Sequence, residues 1–480
     1  MIRKALCLFA FLLVSCDSTE RSDSELDARI NRIENGLIEN LQVEGQSQGP
    51  FNINKRLEEL GIPGLSVVFA VDGEVEWARA YGLADASSNR QMTTETYLLA
   101  GSISKPVAAV RSLQLVENGV FHLDENINKY LTSWQVPDNE FTQTEKVTLR
   151  RILNHTAGLT VWGFPGYDKG DEIPSVVEVL DGKGNTDPVR VFRQPGEAWQ
   201  YSGGGYTIMQ LAIVDTERST FPQILKENVL DRLGMVASTF ENPLPDALHE
   251  KAATGYRDNG DEVEGKWPIY PEMAAAGLWT TPSELIQYAL EIQEILQSGT
   301  DGVLSYQTVS QMLDAESGTH GLGPAVQDDM FGHGGADEGF RAQLYAWKNL
   351  PYAVVVMVNS DNGKIIRELL LSIASEYELP GIEPVVRRLA DVTPDELERF
   401  TGRYDIGERG IIKLTVDGER LKLSHEGSDF VAWWYQQSDL EFFVSETGSI
   451  RTFQVQDDTV IGFTSERIDG VRLNEGKMED

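Results

Sequence analysis

Cysteine, basic charge and long apolar segments are scarce in this chain of 480 residues. The two cysteines, Cys7 and Cys16, lie within the first 16 residues, which excludes a disulfide framework in the rest of the chain. Lysine and arginine number 41 against 75 acidic residues, for a formal net charge of −34. Because phosphate backbones are bound by basic surfaces, this balance argues against a nucleic-acid-binding protein. After residue 16, no apolar run approaches the roughly 18 residues of a membrane-spanning helix.

Motifs of metal and nucleotide chemistry are also absent. The sequence has no His-Glu-x-x-His motif, no cysteine cluster and no Asp-x-Asp-x-Asp loop, so we expect no metal site. It also lacks a Walker loop and a Gly-x-Ser-x-Gly nucleophile elbow. We therefore expect any activity of this chain to proceed without a metal or another cofactor.

The first 16 residues, MIRKALCLFAFLLVSC, have the pattern of a secretory signal. Arg3 and Lys4 precede an apolar run, and the run ends in LVSC, which resembles a bacterial lipobox. Cleavage before Cys16 and lipidation of that residue would give an exported protein anchored to a membrane, facing the periplasm or the outside. A plain signal peptide with an incidental cysteine is the alternative.

Two hairpins frame the central part of the chain. An Asp-Gly turn divides LSVVFAVDGEVEWARAYG, and KNLP separates FRAQLYAW from YAVVVMVNS. Helical patterns lie mostly between the hairpins, at 102–115 and at 281–296, where Thr281 and Glu284 predict a capping box. A further helix is predicted at 365–377. Strands at both ends with helices between them predict an α/β sandwich whose antiparallel sheet is closed by the terminal strands.

The remaining segments define the expected domains. Short alternating runs in GIIKLTVDGERLKLS, FVAWWYQQSDLEFFVS and IRTFQVQDDTVIGFTS predict a small β-barrel. We expect a lipoprotein signal peptide at 1–16, a linker at 17–55 with one short amphipathic helix near Leu26 to Leu41, a hydrolase domain at 56–385, and the barrel domain at 386–480.

Three short motifs stand in order along the central region. Ser102 and Lys105 lie in GSISKPVAAV, Tyr201 lies in WQYSGGGY, and His333 lies in FGHGGADEGF. Residues three apart share a helix face, so Lys105 is placed to activate Ser102, which is a weak nucleophile by itself. With the stretches NHTAGLT, PGEAWQYSGGGYTIMQL and MAAAGLWTTPSEL, residues 55 to 380 resemble the penicillin-recognising serine hydrolases, in the branch of class C β-lactamases, DD-carboxypeptidases and related esterases and aminopeptidases.

The resemblance implies a fold and a set of roles. The fold would be an antiparallel sheet with helices on both faces and an all-helical subdomain. Ser102 would be the acyl-accepting nucleophile, Lys105 its positively charged or basic neighbour, and Tyr201 the group that moves the proton to the leaving group. His333 would take the place of the lysine of the third motif. The backbone N–H groups of Ser102 and Ala336 would form the oxyanion hole.

Two positions depart from the family pattern. Gly203 stands where the family has an asparagine that contacts the substrate, and His333 stands where β-lactamases usually have lysine. Because histidine titrates at about pH 6.5, we expect the charge of the His333 side chain to depend on pH. Gly203, Gly335, Trp162 and Phe164 are the expected lining of the substrate pocket.

The sequence thus predicts a cofactor-independent serine hydrolase that forms an acyl-enzyme on Ser102 from a small ester, amide or peptide of the cell envelope. A β-lactamase or a penicillin-binding DD-peptidase is the first alternative, which the two departures weaken. A non-catalytic envelope binding protein is the second, against which the intact Ser102, Lys105 and Tyr201 argue. His155 is expected to form structural hydrogen bonds. The other histidines have no ligand-like spacing; they are His122, His249, His320 and His425.

Overall fold

The computed structural model describes residues 17–46, 49–315, 318–465 and 468–473. The predicted signal peptide and the predicted lipidation site, Cys16, lie outside these residues. The described chain divides into two compact units. The first is Asn54–Ile366, and the second combines the described residues before Asn54 with those from Arg367 onward. Over the part of the chain that the structure describes, every helix is too short or too polar to span a membrane.

The described residues form α-helices, β-strands and several short 3₁₀ turns. The α-helices are α1 (Asp17–Glu34), α2 (Ile53–Leu60), α3 (Ser104–Glu117), α4 (Leu149–Leu153), α5 (Val176–Leu180), α6 (Gly203–Glu217), α7 (Phe221–Leu225), α8 (Met273–Ala276), α9 (Pro282–Ser298), α10 (Tyr306–Met312), α11 (Lys364–Tyr377) and α12 (Pro394–Leu397). The strands before the barrel are β1 (Leu41–Val43), β2 (Gly64–Val71), β3 (Glu74–Asp85), β4 (Arg90–Gln91), β5 (Leu98–Leu99), β6 (Trp279–Thr280), β7 (Ala325–Gln327), β8 (Met330–Asp337), β9 (Phe340–Trp347), β10 (Tyr352–Val358) and β11 (Val385–Arg387). The barrel strands are β12 (Gly402–Asp405), β13 (Ile411–Asp417), β14 (Arg420–His425), β15 (Val431–Gln436), β16 (Glu441–Val444), β17 (Ile450–Gln456), β18 (Thr459–Thr464) and β19 (Gly470–Arg472).

A seven-stranded antiparallel sheet with the order β4-β3-β2-β10-β9-β8-β7 organises the first unit. Both predicted hairpins are present, as β2–β3 and β9–β10. Strand β10 pairs with β2 along the whole length of β10, with Val355 opposite Val68, so strands from the two ends of the unit meet inside one sheet. The predicted fold class, an antiparallel sheet closed by the terminal strands and covered by helices, is therefore confirmed.

Helix α3 runs through the core of the first unit. Every residue from Ser104 to Leu115 is buried, so this helix has no polar face towards water. Its position matches the helix predicted at 102–115, except that Gly101–Ile103 form a tighter 3₁₀ turn before it. A helix buried on all sides holds its N-terminal residues rigidly, which matters for a nucleophile placed there.

Helix α9 packs against β2, β3, β9 and β10. It begins after Thr281, whose Oγ1 accepts a hydrogen bond from the Glu284 N–H at 3.2 Å. The predicted capping box is only half formed, because the Glu284 carboxylate turns away. It accepts instead from the Ala237 N–H at 2.8 Å and from the Ser238 hydroxyl at 2.5 Å. The sequence motif identified the helix start correctly but not the partner of the glutamate.

Strands β12 to β19 close into an eight-stranded barrel, in which β12 pairs with both β13 and β19. The predicted C-terminal barrel is thus confirmed. Side chains alternate along β15, so Trp434 is buried inside while Trp433 and Tyr435 face outward and are half-buried. The barrel core is aromatic, with Tyr404, Phe442, Phe453 and Phe463 around Trp434.

The first described helix begins and ends earlier than the pattern predicted. Helix α1 spans Asp17–Glu34, and Leu41 belongs to β1, which pairs in parallel with β11. Ile30 and Ile33 are buried within the second unit, and both lie inside the range predicted for this helix. The Arg32 guanidinium bonds the Glu376 carboxylate at 2.5 Å, which ties α1 to α11.

Candidate active site

The Ser102 hydroxyl lies at the N-terminal entry of α3, beside the side chain of Lys105. Lys105 Nζ donates to Ser102 Oγ at 2.9 Å and to the Ala275 carbonyl oxygen at 2.8 Å. Lys105 is only 2 % exposed, whereas Ser102 is half-buried. The second hydrogen bond fixes the lysine head, so its distance from the hydroxyl does not depend on a freely rotating side chain. The predicted pair is therefore in direct contact.

The backbone before Ser102 touches strand β8 with no side chain between them. Gly101 has a left-handed φ of +54°, and a Cβ on it would lie 2.4 Å from the Ala336 nitrogen. A Cβ on Gly335 would lie 2.0 Å from the Ala100 oxygen. Only glycine fits at both positions. This close approach places the Ala336 backbone N–H next to the Ser102 turn, where the predicted oxyanion hole requires it.

Tyr201 lies over the lysine head, immediately before α6. The Ser202 hydroxyl caps that helix by accepting from the Gly205 N–H at 3.1 Å. Lys105 Nζ lies 5.0 Å from the centre of the Tyr201 ring and 5.8 Å from that of Tyr206. Among the described residues, none forms a hydrogen bond with the Tyr201 hydroxyl. Ring packing and the nearby cation therefore orient this phenol and leave its hydroxyl available.

Three histidines surround Tyr201. The His155 ring centre lies 4.2 Å from that of Tyr201, and the His320 and His333 ring centres lie 5.8 Å and 6.1 Å from it. His155 Nδ1 also accepts from the Ser202 N–H at 3.2 Å, which is the structural role we expected. Sequence reasoning missed His320, because it lies far along the chain from Tyr201 in an irregular segment before β7.

These imidazoles are held in the neutral form. Burial, strengthened by the charge of Lys105, lowers the pKa of His333 to about 3 and that of His320 to about 4. Burial and the neighbouring His320 ring likewise lower the pKa of His155 well below its usual value. The expectation that His333 changes charge near neutral pH is therefore wrong. The residue type alone suggested titration, but the His333 side chain is buried, and burial disfavours the charged imidazolium.

Two buried carboxyl groups lie on elements that contribute to the site. Asp337 follows Ala336 at the end of β8, and Glu272 directly precedes α8, whose Ala275 carbonyl holds Lys105. Burial raises the pKa of each to about 8. Both groups are therefore protonated at neutral pH and add no negative charge to the site. Sequence reasoning did not single out either acid, although Asp337 lies within the third motif, FGHGGADEGF.

The second motif adjoins the aromatic loop expected to line the pocket. The Gly203 N–H donates to the Trp162 carbonyl oxygen at 3.0 Å. A Cβ on Gly203 would lie 3.1 Å from the Phe164 ring and 3.1 Å from that same oxygen. The asparagine of the family pattern would therefore require this loop to move. The Trp162 ring itself is 73 % exposed, which leaves it free to contact a ligand.

Within the described ranges, no three side chains of His, Cys, Asp or Glu are grouped so as to hold a metal ion. The arrangement of Ser102, Lys105 and Tyr201 is suited to proton transfer and nucleophilic attack. The arrangement is suited to acyl transfer, because a hydroxyl lies in contact with an amine and close to backbone N–H groups.

Comparison with known proteins is in keeping with this geometry. The model of the beta-lactamase family matches residues 52–375. Penicillin-binding protein 4* of Bacillus subtilis (strain 168) is 20 % identical over 439 residues, which covers 83 % of this chain and 91 % of that protein.

Two solved structures share the fold. The octameric penicillin-binding protein homologue from Pyrococcus abyssi superposes with a TM-score of 0.59 at 20 % identity, over 87 % of this chain and 98 % of that chain. The D-amino acid amidase from Ochrobactrum anthropi SV3, complexed with L-phenylalanine amide, gives a TM-score of 0.58 at 18 % identity, over 73 % and 99 %.

Proposed function

Since this chain belongs to the beta-lactamase family of serine hydrolases, we propose that it hydrolyses a small ester, amide or peptide through an acyl-enzyme on Ser102. The observation that carries the proposal is the 2.9 Å hydrogen bond between Lys105 Nζ and Ser102 Oγ, beneath the ring of Tyr201. A hydroxyl in contact with a buried basic group is the arrangement that nucleophilic catalysis needs.

The proposed reaction has two steps. The Lys105/Tyr201 pair takes the proton of Ser102 as Oγ attacks the substrate carbonyl, and the negative charge forms against the N–H groups of Ser102 and Ala336. Each such donor contributes about 3 kcal/mol to stabilising the transition state. The same pair returns the proton to the leaving group. A water molecule then attacks the acyl group and restores the free hydroxyl.

The site favours substrates that are recognised without a carboxylate. His333 is uncharged near neutral pH, so the position usually occupied by lysine offers no cation to bind an anionic group. Gly203 offers no side-chain amide, and the loop of Trp162 and Phe164 fills the space beside it. These two features support an esterase or amidase. A β-lactamase or a DD-peptidase is the second candidate, supported by the name of the relative penicillin-binding protein 4*.

We place this activity at the cell envelope. The support is the sequence alone: a secretory pattern that ends in LVSC, with Cys16 as the acceptor of a lipid. An exported, membrane-anchored hydrolase would meet substrates of the periplasm or the outside. The acidic surface expected from a net charge of −34 repels anions, which agrees with a neutral or cationic substrate.

The test is hydrolysis of a short p-nitrophenyl ester and of a chromogenic cephalosporin by the wild type and by Ser102→Ala. We expect ester turnover that Ser102→Ala abolishes, with little turnover of the cephalosporin. Ester turnover that survives in Ser102→Ala would disprove the nucleophile. Fast, Ser102-dependent cephalosporin turnover would establish the second candidate instead. No turnover of either compound, with saturable cephalosporin binding, would favour the non-catalytic binding protein.

A further inference from the structure

Asp337 is a buried acid at the end of β8, next to the Ala336 donor of the proposed oxyanion hole. Asp337 directly follows Ala336 on β8, and the Gly101 backbone N–H faces its carboxyl group. Gly101 in turn directly precedes Ser102. One side chain therefore connects the strand that carries one backbone donor with the turn that carries the other. Asp337 is 4 % exposed, and its Oδ2 has no hydrogen-bond partner among the described residues.

We propose that Asp337 is a positioning residue of the oxyanion hole, which holds the Gly101 turn against β8. Ionisation of its carboxyl group would then stop turnover. This inference rests on the proposed acyl-enzyme at Ser102. A neutral carboxyl accepts the Gly101 N–H through its carbonyl oxygen and adds no charge. An ionised carboxyl at the same place puts a negative charge beside the site where a second one forms in the transition state.

The groups around Asp337 explain why it remains protonated up to mildly alkaline pH. Burial raises the pKa of Asp337 to about 8, although Lys105, Arg341, the Gly101 N–H and the Tyr270 hydroxyl each act to lower it. Arg341 offers limited compensation, because its Nη1 pairs with the Asp361 carboxylate at 2.9 Å and donates to the Asp337 backbone oxygen at 2.6 Å.

Two further acids lie near this group and must be distinguished from it. Glu338 pairs with Arg257 at 2.6 Å, and its N–H donates to the Tyr270 hydroxyl at 3.2 Å. Glu272 also has a pKa raised to about 8 by burial, but neither of its carboxyl oxygens has a partner in the described structure. Glu272 is therefore the matched control: its pKa is similar, but its carboxyl group forms no hydrogen bond with the Ser102 turn in the described structure.

The experiment is the pH profile of Ser102-dependent ester hydrolysis between pH 5 and 10, with the rate of Ser102→Ala subtracted at each pH. We expect wild-type kcat/KM to decrease as the pH rises, with a midpoint at about pH 8 and a further decrease of about tenfold for each pH unit above it. Asp337→Asn keeps the shape of the neutral acid but cannot ionise. In this variant, the alkaline decrease of kcat/KM should be absent or displaced by more than one pH unit. Glu272→Gln should keep the wild-type midpoint.

A second variant, which leaves Asp337 in place, keeps the proposal testable if Asp337→Asn does not fold. Tyr270→Phe removes a hydroxyl that lowers the pKa of Asp337, so its alkaline midpoint should move to higher pH. The proposal is overturned if Asp337→Asn folds and keeps the wild-type midpoint, if Glu272→Gln loses it, or if Tyr270→Phe leaves it unchanged. Absence of Ser102-dependent turnover in the wild type at every pH would instead refute the acyl-enzyme itself, so the two failures are distinguishable.

Discussion

Replacing Gly101 by alanine tests whether the contact between the Ser102 turn and β8 sets the rate. An alanine there must keep a left-handed φ of +54°, which costs about 1–2 kcal/mol for a residue with a Cβ. Its Cβ would also lie 2.4 Å from the Ala336 nitrogen. An ordinary contact between a Cβ and a neighbouring heavy atom begins at about 3.4 Å. Strand β8 must therefore move away by about 1 Å, at an overpacking cost of about 1–3 kcal/mol.

That displacement moves the Ala336 donor out of place. A misplacement of about 1 Å costs on the order of 100-fold in rate, and the loss of one oxyanion donor costs about 100- to 1,000-fold. We therefore expect Gly101→Ala to lower kcat for the p-nitrophenyl ester at least about 100-fold. The free energy of unfolding should fall by about 2–5 kcal/mol, the sum of the two costs above.

The matched control is Gly119→Ala, at the end of α3. Gly119 has a similar left-handed φ of +69°, but a Cβ on it meets nothing within 4 Å. It should lose about 1–2 kcal/mol of stability and keep wild-type kcat. Urea unfolding and steady-state kinetics on both variants separate backbone strain from the contact. If Gly101→Ala retains kcat within threefold of Gly119→Ala, the reasoning about the oxyanion hole is refuted.

Two further predictions concern the histidine cluster and the N-terminus. Burial lowers the pKa of His320 to about 4 in the folded protein, against about 6.5 in the unfolded chain. The stability that neutral His320 contributes is therefore present above pH 6.5 and is lost as the pH falls towards 4, by about 3 kcal/mol. His320→Phe should lose less stability than the wild type between pH 7.5 and 4.5, measured by urea unfolding, and an equal loss would contradict the assignment. Replacing Cys16 by serine should release the protein from membranes in cell fractionation, and unchanged membrane association would contradict lipidation at that residue.

The parts of the site that the sequence predicts are those fixed by local geometry. Ser102 and Lys105 are three residues apart on one helical path, so their contact follows once the helix is recognised. The hairpins follow from short turns between alternating strands, for the same reason. Tyr201 meets this pair only through the fold, and it was identified because the order of three motifs resembles a known family.

The parts that the sequence does not predict depend on depth and chain path. His320 reaches Tyr201 from an irregular segment, where no periodic pattern specifies direction. The only local signal is the run of glycine and proline in THGLGP, which indicates a tight turn before the third motif. The neutral state of His333 and the protonation of Asp337 follow from burial, which residue type does not reveal.

The pairing of β2 with β10 also constrains how the chain reaches this structure. Val71 faces Tyr352 across the sheet, so residues 72–351 must be synthesised before β2 gains its second neighbour. Until then, the apolar segment GLSVVFAV has one unpaired edge, which is a template for association with other chains. Such long-range pairing also slows folding. A chain that ends before Tyr352 would therefore contain all of α3 but leave one edge of the apolar strand β2 unpaired. We expect such a chain to aggregate or be degraded.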